Sequence, residues 1–120
     1  MRQQQKLGKL GENLALRYLK NKGYCILTRN FHSKFGEIDI IALHQKDLVF
    51  IEVKTRWGQS FGSPQEAITP WKIRRIIKTG QYFKLFHPEL PDSLRLDAVV
   101  IDFNQSGDLK RIEIIKNLTS

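Results

Sequence analysis

The sequence is short of the residues that anchor many small folds. It has a single cysteine, Cys25, so no internal disulfide can form. One thiol and three scattered histidines, His32, His44 and His87, offer no zinc-ligand spacing. No run approaches the roughly 18 apolar residues of a membrane span. The opening MRQQQKLGKLGEN lacks the apolar core and small-residue cleavage site of a secretion signal. A cytoplasmic, reducing setting without membrane attachment is the expectation that follows. Gly8 and Gly11 are too sparse for a phosphate loop, and neither a G-x-G-x-x-G nor a Walker pattern occurs, which argues against ATP-driven work.

Acid is scarce as well: 12 Asp and Glu stand against 20 Lys and Arg, a formal charge of +8 that favours polyanionic partners. The imbalance is uneven. Residues 1–34 carry +7, residues 35–69 carry −2, and residues 70–120 carry +3. An acidic centre between basic flanks suits a cation site inside a polyanion-binding surface.

No repeat, linker or low-complexity tract divides the 120 residues, and 1–120 reads as one domain. Leu7, Leu10, Leu14, Tyr18 and Leu19 recur at helical spacing, and Gly23 stands where that helix should stop. Residues 25–31, 36–43 and 48–55 are β-prone runs, with Cys25 expected in the core of the first. Trp57 to Ile68 reads as an irregular loop. Thr69-Pro70 is a helix cap and first turn, continued by Ile73, Ile76 and Ile77 across Gly80. Residues 94–103 and 110–116 are strands around a turn at Ser106-Gly107-Asp108. The predicted order is α-β-β-β-α-β-β, an α/β fold with a central mixed sheet flanked by helices.

Period two places Val49, Ile51 and Val53 on one face of the third strand and Phe50, Glu52 and Lys54 on the other. Glu52 and Lys54 are then about 7 Å apart along one face. In the second strand the same rule separates Ile38, Ile40 and Ala42 from Glu37, Asp39 and Ile41. If the two strands form a hairpin through a two-residue loop at Gln45-Lys46, opposed residue numbers sum to 91 and Asp39 faces Glu52. A four-residue loop closing at Leu43 and Leu48 keeps that parity and is favoured, because Gln-Lys lacks tight-turn chemistry. Two carboxylates with β-carbons about 5 Å apart repel unless a positive group joins them. An oxygen-only pair suits Mg²⁺ or Mn²⁺, which add water and substrate phosphate to their shells. The competing reading of the same spacing is a salt-bridge ladder in which Lys54 neutralises both acids.

Asp39 and Glu52-Val53-Lys54 together resemble the PD-(D/E)xK nucleases. The longer stretches Gly36-Glu37-Ile38-Asp39-Ile40-Ile41-Ala42 and Val49-Phe50-Ile51-Glu52-Val53-Lys54-Thr55-Arg56 resemble the YraN family of bacterial proteins. The likeness extends to Gly11-Glu12, Gly23-Tyr24, Arg29-Asn30, Lys72 and Arg95-Leu96-Asp97. It implies a restriction-endonuclease-like fold related to Holliday-junction resolvases, with Asp39 and Glu52 holding metal, Lys54 serving the attacking water and Glu12 of the first helix assisting. It also implies pairing of two copies to cut two strands.

Around this centre, Arg56, Lys72 and Arg75 are candidate phosphate contacts, and Trp57 is a candidate stacking platform for an unpaired base. The expected function is Mg²⁺-dependent hydrolysis of phosphodiester bonds in DNA, branched or junction structures among them. The alternative is a nucleic-acid-binding module on a nuclease fold that no longer cuts, and a third reading is a subunit whose basic surface meets an acidic protein.

Overall fold

In the computed structural model residues 2–119 are described, with side chains from residue 5. Helix α1 (Arg2–Asn21) ends as its leucine period runs out: Gly23 takes φ +92° and Tyr24 N–H bonds back to the Leu19 carbonyl, a left-handed helix stop. Three strands follow, β1 (Cys25–Ser33), β2 (Gly36–His44) and β3 (Asp47–Trp57). A short 3₁₀ turn at Pro64–Glu66 leads to α2 (Pro70–Leu85), whose Thr69 cap accepts a hydrogen bond from Lys72 N–H. Strands β4 (Leu94–Phe103) and β5 (Leu109–Ile115) complete a sheet in the order β1-β2-β3-β4-β5. Only β3 and β4 run parallel, because α2 is the crossover that joins them. The element order and the mixed sheet agree with the sequence reading.

The two helices cover opposite faces. On one, Leu7, Ala15 and Leu19 of α1 pack on Ile40, Val49, Ile51, Val99 and Ile101. On the other, Ile76 and Phe83 of α2 pack on Ile38, Ile41, Leu48, Phe50 and Leu96. The second helix crosses close to the sheet at Gly80, where a β-carbon would lie 2.6 Å from the buried Phe50 ring. Gly80→Ala should therefore destabilise. Better helix propensity returns about 1 kcal/mol, whereas overpacking a full core costs about 1–3 kcal/mol. Because the 2.6 Å approach calls for the upper end of that cost, urea unfolding is expected to show a net loss of about 2 kcal/mol, and a stabilised variant would rule out this contact.

Three local expectations need correction. The β2–β3 loop is the two-residue Gln45-Lys46 turn, closing at His44–Asp47, with Gln45 at φ +57°. Tertiary contacts hold the terminal pair despite poor turn chemistry: the Tyr24 ring stacks on His44 at 4.0 Å, and Ser93 and Arg95 donate to Asp47. Ile38 packs on the α2 side, opposite Ile40 and Ala42, so alternation in β2 breaks at Asp39. Cys25 is exposed, since it opens an edge strand instead of entering the core.

Candidate active site

The break at Asp39 builds the site. Pairing of β2 with β3 keeps the register that sums to 91 from His44–Asp47 to Ile40–Ile51, and the next residues in line are Asp39 and Glu52. There the Asp39 side chain replaces the strand: its Oδ2 accepts from Val53 N–H at 2.8 Å. A carboxylate is thus wedged into the fork where β2 leaves β3, against Glu52 on the α2 side.

The two carboxyl groups share a hydrogen bond and are half-buried, an arrangement two full negative charges do not sustain. Burial, reinforced by the neighbouring Asp39 charge, pushes Glu52 up to about 7. Burial also raises Asp39, opposed by the Val53 N–H that favours its ionised form. The pair therefore holds a proton to higher pH than either acid would alone. Lys72 from the first turn of α2 supplies partial compensation, with Nζ 3.8 Å from Glu52 Oε2. Lys54 is exposed two residues beyond Glu52 on the same face and lowers its pKa through space.

These shifts make stability pH-dependent. Glu52 rises on folding from its ordinary 4.5, so the folded chain binds a proton that the unfolded chain has released. That contribution is full below about pH 4.5 and is lost as pH climbs through 7. In metal-free buffer, stability should fall over this window on the order of 2 kcal/mol from Glu52, with Asp39 adding in the same direction. Glu52→Gln should flatten the profile in denaturant titrations at pH 5 and 8; an unaltered slope would show that folding does not raise Glu52.

Among the described residues no group of three His, Cys, Asp or Glu is placed to hold a metal ion. The donor set still fits one kind of ion. Two hard oxygen ligands, crowded and short of positive charge, suit a divalent cation that keeps several waters and binds through one or two carboxylates. Zinc, which favours a closed nitrogen and sulfur shell, does not fit.

The other sequence candidates disperse. Glu12 is half-buried beside Gly11, whose β-carbon position lies against Thr55 on the α1 side, and its side chain makes no hydrogen bond or ion pair among the described residues. Arg56 shares the face of Glu52 but is committed to Asp102, with Nε 2.7 Å from Oδ1. Arg111 clamps the same buried carboxylate, and although burial alone works to raise it, the two guanidinium groups hold Asp102 below its usual range. Trp57 is the last residue of β3, not the start of a loop, and its parity with Val53 turns it onto the α1-side core, away from Asp39 and Glu52. Arg75 stacks over Trp71, its guanidinium carbon 4.9 Å from the ring centroid.

Two features escaped the sequence reading. Trp71, 59% exposed, stands beside Lys72 on the side of α2 opposite Ile73 and Ile76; the helical period alone marks it as outward. A buried network at the far end of the sheet had no local signal. Asp97, fully buried, accepts from Tyr24 Oη, Arg95 and Asn117 N–H. Arg95 also reaches Asp47 and donates to His44 Nδ1, and burial together with that guanidinium keeps His44 below its usual pKa.

Comparison with known proteins places the acid pair inside a shared segment. Residues 11–101 match the family described as Uncharacterised protein family UPF0102. A UPF0102 protein of Clostridium botulinum (strain Loch Maree / Type A3) is 45% identical over 114 residues, spanning 92% of this chain and 91% of that protein. Another, from Syntrophomonas wolfei, is 44% identical over 95 residues, covering 79% of this chain and 83% of its own. With a family match across Asp39, Glu52, Lys54 and Lys72, and relatives of this similarity along nearly the whole length, the chain belongs to the UPF0102 family, the YraN proteins its motifs resemble.

Proposed function

We propose that the chain is a Mg²⁺- or Mn²⁺-dependent nuclease that hydrolyses phosphodiester bonds in DNA. The observation that carries this reading is the wedged, proton-sharing pair of Asp39 and Glu52 with two lysines alongside. A salt-bridge ladder explains it less well: Lys54 makes no ion pair among the described residues, and Lys72 touches Glu52 only at 3.8 Å, leaving Glu52 raised in pKa. A simple ladder would have lowered it.

Asp39 and Glu52 would hold the ion between them, Asp39 fixed in place by Val53 N–H. When bound, the ion supplies polarisation of the scissile phosphate and acidifies water. Lys54, exposed and unpaired, orients the attacking water and offsets charge that grows on the phosphoryl oxygens. As the water oxygen gives up a proton to solvent and bonds to phosphorus, the ester P–O bond opens and the departing oxygen takes up a proton from a solvent water. Lys72 sits where it can hold a neighbouring phosphate, consistent with its reach toward Glu52. Glu12 of α1 is given an assisting role, and Glu12→Gln is expected to lower the rate less than Asp39→Asn does.

A panel of fluorescent single-stranded, duplex and branched DNAs tests this. Cleavage is expected in Mg²⁺ or Mn²⁺ and none in EDTA. Tight binding with no cleavage of any substrate would replace the nuclease with the alternative reading, a nucleic-acid-binding module on a nuclease fold.

A further inference from the structure

Beside the acid pair lies a surface that the catalytic reading leaves unused. The β1–β2 turn carries Lys34 and Phe35 against the outward side of α2. It is pinned there: Gly36 adopts φ +142°, and a β-carbon on it would come 3.2 Å from Arg75 Nη2 and Thr79 Oγ1. Two open hollows meet at this seam, with Trp71 and Arg75 lining both. One, of about 400 Å³, opens toward Glu37 and Lys72 and so toward the acid pair. The other, of about 320 Å³, is lined by Lys34, Phe35, Arg74 and Lys78 as well.

Both rings at the seam, the exposed Trp71 and the half-buried Phe35, already carry cations. Arg75 lies over Trp71 at 4.9 Å, while Lys78 and Lys34 lie over Phe35 at 5.0 and 5.3 Å. An aromatic ring held next to a cation meets a flat base on its free side and a phosphate beside it. A paired duplex keeps its bases stacked inside and cannot use the rings. An acidic peptide needs the charges but not the rings. An anionic membrane offers headgroup charge but no flat base for the rings.

We infer that the α2 and β1–β2 turn surface, through Trp71, Phe35 and their stacked cations, binds an unpaired polynucleotide strand and leads it to the acid pair. The inference rests on the proposed function only for the position of the cut. The binding itself needs no metal.

The test is therefore made in EDTA with the full chain, by fluorescence anisotropy of labelled single strands of DNA and RNA, blunt duplex, polyphosphate, poly-glutamate and phosphatidylserine vesicles. The expected result is single-strand binding at least tenfold tighter than duplex binding. Trp71→Ala should weaken it about tenfold without moving the unfolding midpoint, Phe35→Leu, which keeps apolar packing beside Tyr82, should weaken it as well, and Arg75→Ala with Lys78→Ala should flatten its salt dependence. A preference between the DNA and RNA arms identifies the strand, and either preference supports the site. Polyphosphate, poly-glutamate or vesicles bound as tightly as the single strand, or single-strand affinity indifferent to Trp71→Ala, would overturn it. Single-strand binding that persists in a chain that cleaves nothing would uphold this surface and reject the nuclease.

Discussion

Lys54→Ala is expected to reduce single-turnover cleavage by about 10²–10⁴-fold while leaving stability within about 0.5 kcal/mol of wild type. The side chain is exposed, makes no hydrogen bond or ion pair among the described residues, and lies outside both apolar clusters, so folding does not depend on it. Its charge lies on the face of Glu52, where the proposed hydrolysis would build negative charge as phosphorus is attacked. Lys54→Arg should recover little, because a planar fork does not reproduce a point charge at the end of a flexible stem. Rapid-quench kinetics with excess enzyme provide the measurement. A rate within threefold of wild type would remove Lys54 from the chemistry.

The largest effect on stability is expected from Arg95→Ala, a loss of about 3–5 kcal/mol in urea titrations. The guanidinium grips buried Asp97 with two nitrogens, Nε at 3.0 Å and Nη2 at 2.9 Å, and its Nη1 reaches Asp47 at 3.0 Å. Removing it leaves a fully buried carboxylate with, among the described residues, Tyr24 Oη and Asn117 N–H as its remaining donors. The cost comes from that stranded charge, so Arg95→Met combined with Asp97→Asn should be less damaging than Arg95→Met alone. Equal losses in the single and double variants would mean that the packing of the arginine stem, not its charge, matters. The network is distant from Asp39 along the sheet, and any variant that folds should leave the proposed metal binding at the acid pair unchanged.

Local spacing made the acid pair legible. Period two and hairpin parity depend only on neighbours in sequence, so they placed Asp39 beside Glu52 for either loop length. What parity could not show is the fork. Strict alternation would keep Ile38 beside Ile40, whereas β2 bends at Asp39 and trades a ladder bond for a side-chain one. Trp57 illustrates the opposite failure: its odd number in β3 already assigned it to the side of Val53, but reading it as a loop residue discarded that information. The networks around Asp97 and Asp102 join residues tens of positions apart, such as Tyr24 with Asp97 and Arg56 with Asp102, and no local pattern encodes such partners. Cys25 is the reminder that a small apolar residue on an edge strand need not be covered.

The most direct measurement is a calorimetric titration of Mn²⁺ into wild type and Asp39→Asn at pH 6.5. Wild type should bind the ion and release part of a proton, since the pair must give up the proton it shares to form its charged, ligating state. Asp39→Asn should lose nearly all of that affinity. Equal binding by both proteins, or binding without proton release, would show that the carboxylates merely neutralise each other and that the ion, if any, sits elsewhere.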